Sequence, residues 1–64
     1  MLSEMDLVLD WQQRGMSARV LGLRPGDNPL LDKRPARHGA PLAEWQAKCE
    51  AWAFGWRIED ASRN

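Results

Sequence analysis

Residues 51–61 read AWAFGWRIEDA, and this stretch decides the fold. Trp52 and Trp56 stand four apart, about one helical turn, with Gly55 just before the second. A glycine inside a helix costs about 1 kcal/mol against alanine, and a chain of 64 residues has little stability to spare. The missing side chain must therefore serve a purpose. Working outward, at about 100° per residue Leu42, Trp45, Cys49, Trp52, Ala53 and Trp56 share one stripe. Ala47, Ala51, Phe54 and Ile58 form a second, nearly opposite. Pro41 suits a first helical turn, and Glu44 lies favourably near the positive end. The pattern predicts a helix over about 41–61.

Further upstream, Ser3 is a candidate helix cap, with Asp6 three positions on as its capping-box partner. Apolar residues then recur at helical spacing, and Gly22–Leu23 suit a glycine C-cap with its hydrophobic contact. This predicts a first helix over about 3–22. One of its stripes is Leu2, Met5, Leu9, Met16, Val20 and Leu23; the other is Leu7, Val8, Trp11, Gly15, Ala18 and Gly22. Between the helices, Arg24-Pro25-Gly26-Asp27 has the composition of a type II turn, and the prolines and glycines to residue 40 mark a loop. Nothing alternates with period two, and there are no internal repeats. The expected architecture is all-α, one domain over 1–64, with two antiparallel helices joined by a long basic loop. Gly15, Ala18 and Gly22 make a small face able to admit the rings of Trp52 and Trp56, and Gly55 lets the backbones approach. The surplus stripe, chiefly Met5, Leu9, Met16 and Val20, is then the face for a partner. A homodimer with Leu9 and Met16 near its two-fold axis is expected, ahead of a cover made by Leu30 and Leu31 of the loop.

Composition narrows the remaining choices. A chain this short buries only about 60% of its unfolded surface. A disulfide within the chain is excluded because Cys49 is the single cysteine. One cysteine and one histidine are too few for the usual four-ligand zinc site, so no metal is expected. Four tryptophans favour dense aromatic packing instead. The formal charge is zero, with nine basic and nine acidic residues, which argues against a basic arm that coats nucleic acid. Acids (Glu4, Asp6, Asp10) gather near the start, whereas Arg24, Lys33, Arg34, Arg37 and His38 crowd the middle. No apolar run approaches the roughly 20 residues of a membrane span, and no signal-peptide pattern is present. A cytoplasmic protein without membrane association is expected.

Taken in order, QRGMSARVLGL (13–23), NPLL (28–31) and WAFGWRIEDA (52–61) resemble the ribosome modulation factor family, small bacterial proteins with two helices and a connecting loop. The resemblance rests on Gly15, Ala18, Gly22, Pro29, Trp52, Gly55 and Trp56 as a scaffold signature, and covers about residues 12 to 61. NPLL and GWRIEDA are at least as similar to the related CrpP-like group, some members of which are associated with fluoroquinolone resistance and a claimed phosphotransferase activity. The chain departs from the family pattern at Met16, at Asn28-Pro29-Leu30, in its longer loop and in its neutral charge. The resemblance implies a stress protein that occupies a ribosomal surface and reduces translation.

The residues supply little catalytic machinery. GLRPGD is not a phosphate-binding G-x-x-x-x-G-K-[ST] loop. Glu59 and Asp60, being adjacent, point to different sides of a helix and make poor acid/base partners. Cys49 on the tryptophan stripe reads as a buried inert thiol, and His38 as a solvated residue or a minor phosphate contact. No catalytic residue, cofactor or enzyme activity is expected. The binding feature is the loop cluster Arg24, Lys33, Arg34, Arg37 and His38, joined by Arg14 and Arg19 on the first helix and partly cancelled by Asp27 and Asp32. The leading expectation is a non-enzymatic protein bound to the ribosome or rRNA, with no DNA partner. A protein-binding or self-associating helical module comes second and a CrpP-like fluoroquinolone phosphotransferase third.

Overall fold

The structure, a computed structural model, describes residues 3–63, the side chain of Glu4 excepted. Leu2, assigned above to the surplus stripe, lies outside them. Helix α1 spans Glu4–Val20 and helix α2 Ala40–Ser62, and the segment between them carries two short 3-10 turns, Pro25–Asp27 and Leu31–Lys33. Among the described residues there is no strand. No helix is long and apolar enough to cross a membrane.

Local chemistry explains the helix ends. Ser3 caps α1: its Oγ accepts from the Asp6 N–H at 3.2 Å, and Asp6 Oδ2 accepts from the Ser3 N–H at 3.2 Å, the reciprocal pair expected of a capping box. At the other end Gly22 adopts φ +84°, the Leu23 N–H donates to Ala18 O at 2.9 Å, and the Gly22 N–H donates to Arg19 O at 3.0 Å. This is a Schellman stop, which only a residue at ease with positive φ can make cheaply. Gly22 therefore ends the helix instead of extending its small face, and an added Cβ there would meet nothing within 4 Å. That corrects the assignment of Gly22 to the packing surface, and it also takes Leu23 off the surplus stripe. A second positive φ, +100° at Gly39, starts α2, with Pro41 in its first turn. The 24–27 turn differs from expectation too. Gly26 is not among the positive-φ glycines, and the Asp27 N–H donates to Arg24 O at 2.9 Å in a 3-10 turn. Asp27 holds it by accepting from the Arg24 N–H at 2.8 Å, so the type II geometry is not needed.

The helices pack along like ends. Arg19 near the end of α1 pairs with Asp60 near the end of α2 at 2.8 Å, Gly15 abuts the backbone of Trp52 and Trp56, and Leu7 shares a groove with Ala43 and Ala47. Contacts thus advance in step along both helices. They run in the same direction, and the antiparallel expectation is corrected. The physical reason is the connection: residues 21–39 are far longer than a helical hairpin needs, and they return along the flank of α2. Leu23 O accepts from Trp56 Nε1 at 2.7 Å, and Leu30 O accepts from Trp45 Nε1 at 2.7 Å. Pro35 lies beside Pro41 and Trp45.

The core follows from this layout. Ala18, Leu30, Ala51 and Trp52 are buried, Trp52 to 2% exposure, with Gly15 and Gly55 between the helices. A Cβ on Gly55 would lie 1.8 Å from Gln12 O, and one on Gly15 1.9 Å from Trp52 O. Close backbone approach is therefore the reason for Gly55. On α1, Gly15 lies against the backbone of Trp52 and Trp56 and Ala18 lines a groove with Trp52, while the indole N–H groups of Trp45 and Trp56 turn to the returning segment. Asn28 completes this segment: it is buried to 6%, and its Oδ1 accepts from the Leu30 N–H at 3.0 Å. A turn of this kind satisfies a buried backbone donor that no helix serves.

Candidate functional site

Ion pairs sort the basic residues into two groups. Arg14 pairs with Asp10 at 3.0 Å and lies over the Trp11 ring at 4.5 Å. Arg19 joins Asp60 and lies 5.7 Å from the Trp56 ring. Lys48 pairs with Glu44 at 3.4 Å, and Arg63 with Glu59 at 3.3 Å. All four are thus paired, Arg19 partly buried against the far end of α2 and Arg14 at the open surface. Arg24 is exposed, but it lies 3.6 Å from Asp27. Among the described residues Lys33, Arg34, Arg37 and Arg57 make no ion pair.

The first three of these occupy one short segment. Lys33 closes the second 3-10 turn, Arg34 follows it, and Arg37 and His38 stand just before Gly39. All four side chains are exposed. The segment is held from beneath by the Trp45–Leu30 hydrogen bond and by Leu30, which is buried to 6%. Arg34 lies 6.0 Å from the Trp45 ring, where the ring face favours a cation. Arg24 sits at the far end of the returning segment, next to the residue that Trp56 anchors. The sequence cluster is thus strung along α2, and its dense part is 33–38. Such an arrangement can bind anions at an exposed surface. It offers no enclosed cradle for a nucleotide.

Three of the four tryptophans are structural in this setting. Trp52 is in the core, and the indole N–H groups of Trp45 and Trp56 are committed to backbone carbonyls. Cys49 is half-buried, and its thiol pKa is raised, first by burial and then by the charge of Glu50. Both causes disfavour the thiolate that a nucleophile needs. Among the described residues no group of three or more His, Cys, Asp or Glu comes together.

The surplus stripe is open. Met5 (67%), Leu9 (52%) and Val20 (55%) are exposed, and Met16 is half-buried beside Val20 and Glu59. Leu30 is committed to the tryptophan face and Leu31 is exposed, so neither loop leucine covers the stripe. Sequence reasoning overlooked the role of Asn28, which depends on burial that no local pattern announces; Phe54, on the second apolar stripe of α2, is half exposed. Comparison with protein-family models, curated proteins and solved structures finds no match to this chain.

Proposed function

We propose that this protein is a non-enzymatic, cytoplasmic, RNA-associated stress protein that reduces translation sterically, in the manner of the ribosome modulation factors it resembles. The observation that carries the reading is the segment 33–38. There Lys33, Arg34 and Arg37 are exposed and free of ion pairs among the described residues, while the cations at 14, 19, 24, 48 and 63 are paired. Unneutralised cations gathered on a firmly seated segment suit a row of phosphates, and binding then draws on counterion release. Net neutrality is offset because five of the nine acids are engaged elsewhere, although Asp32 stands beside Lys33. Asp10, Asp27, Glu44, Glu59 and Asp60 each pair with a scaffold cation.

The test is a sucrose gradient of the tagged protein from stationary-phase cells. Comigration with ribosomes at low salt, lost as salt rises, is expected. The reading fails if the protein stays at the top of the gradient at low salt. It also fails if a Lys33→Gln, Arg34→Gln, Arg37→Gln variant comigrates as well as the parent. A second reading, a module that binds protein through its apolar surface, is favoured by the exposure of Met5, Leu9 and Val20.

A further inference from the structure

The flank of the helix pair opposite the returning segment carries a shallow groove of about 460 Å³, lined by Val8, Gln12, Ala47, Ala51 and Phe54, with Glu50 and Arg57 on its lip. Three features coincide there. Small residues (Ala47, Ala51) form the floor on the α2 side, leaving room for a bulky group. Phe54, 50% exposed, projects at the edge of the same groove, and Ile58 is exposed one turn on. Glu50 and Arg57 are exposed and unpaired among the described residues, in a chain whose other helical ion pairs are made at i,i+4 spacing or between helices. At seven residues apart they lie on one side of α2, two turns from each other, too far to satisfy each other.

We infer that this face pairs with a second copy of the chain, α2 against an antiparallel α2, about a two-fold axis between Ala53 and Phe54. The argument is charge self-complementarity. Turning α2 about that point sets Glu50 opposite Arg57 of the partner subunit and Arg57 opposite Glu50 of the partner subunit. The same rotation sets Phe54 opposite Ala53 of the partner subunit, so that the two exposed Phe54 rings cover one another at the axis. An isologous interface requires this reciprocity, residue i meeting j while j meets i. Among the described residues the α1 stripe of Met5, Leu9 and Val20 carries no such unpaired pair of opposite charges, so the axis belongs on α2 and not at Leu9 and Met16. The segment 33–38 lies on the other flank and stays open in the pair, which makes the inference independent of the RNA reading.

Charge reversal tests the register without disturbing the core. In Glu50→Arg, two arginines of each copy face two of the other; in Arg57→Glu, glutamates do. Sedimentation velocity across concentration should show the parent dimerising, and each variant, folded by circular dichroism, weakened on the order of tenfold or more. Mixing the two variants should restore the dimer as a heterodimer, because only the mixed pair sets an arginine at position 50 of one copy against a glutamate at position 57 of the other. A parent that stays monomeric at high micromolar concentration overturns the proposal. So does a dimer that tolerates both reversals, or one abolished by Leu9→Glu with Met16→Glu while the reversals leave it unchanged.

Discussion

Replacing Gly55 by alanine adds one methyl group and should cost more than most larger changes elsewhere in the chain. The new Cβ would stand 1.8 Å from Gln12 O and 2.7 Å from Gln12 C, both backbone atoms of α1 that no rotamer can move aside. Ordinary contact begins near 3.4 Å, so the helices must part by about 1.6 Å at this point (3.4 less 1.8). A gap of about 0.5–1 Å already forfeits a quarter to a half of a dispersion well, and the loss would spread to Ala18, Ala51 and Trp52. Overpacking of this kind costs about 1–3 kcal/mol, and backbone contact places it at the upper end. Alanine returns about 1 kcal/mol of helix propensity, leaving about 2 kcal/mol of net destabilisation. For a domain of this size that lowers the melting temperature by about 8–16 °C. The assay is thermal unfolding followed by circular dichroism, with Gly26→Ala as control, since a Cβ at Gly26 meets nothing within 4 Å and its φ is not positive. The control should melt within about 2 °C of the parent or slightly above it. A Gly55→Ala protein as stable as its control would refute the close-approach reasoning.

Asn28→Ala removes the acceptor for the buried Leu30 N–H and should destabilise by about 1–3 kcal/mol, measured by urea unfolding; Asn28→Asp, which keeps the acceptor, should recover much of the loss. Cys49, with its pKa raised by burial and by Glu50, stays protonated at neutral pH. Its alkylation by iodoacetamide in the folded protein should therefore be slower than that of the urea-unfolded chain, with the two rates converging as pH rises above the folded thiol's pKa. Pure protein incubated with ATP and a fluoroquinolone should give no phosphorylated drug by mass spectrometry beyond a no-protein control. Product that disappears in a folded point variant would contradict the non-enzymatic reading.

Helix content was legible because its signals are local. The Ser3–Asp6 box, the Gly22 stop and Pro41 each act within one turn, and the observed helices lie within two residues of the expected bounds. Gly55 was legible as well, because its cost demanded a reason. Direction was not. Two helices with apolar stripes suggest a hairpin, but sequence does not say whether a long connection turns at once or returns along a flank; here the indole N–H groups of Trp45 and Trp56 seat it on α2. The basic cluster was legible as composition only. Which of its members are free depends on ion pairs between residues as distant as Arg19 and Asp60.

The central claim, that Lys33, Arg34 and Arg37 form an RNA-phosphate surface, is tested most directly by fluorescence anisotropy with a labelled single-stranded RNA over a range of salt. Three neutralised phosphates should give a slope of about −2 in log affinity against log salt. Each single change to glutamine should reduce the slope by about 0.7, and the triple change should bring it close to zero. No binding at low salt, or a slope that survives the triple change, would contradict the account.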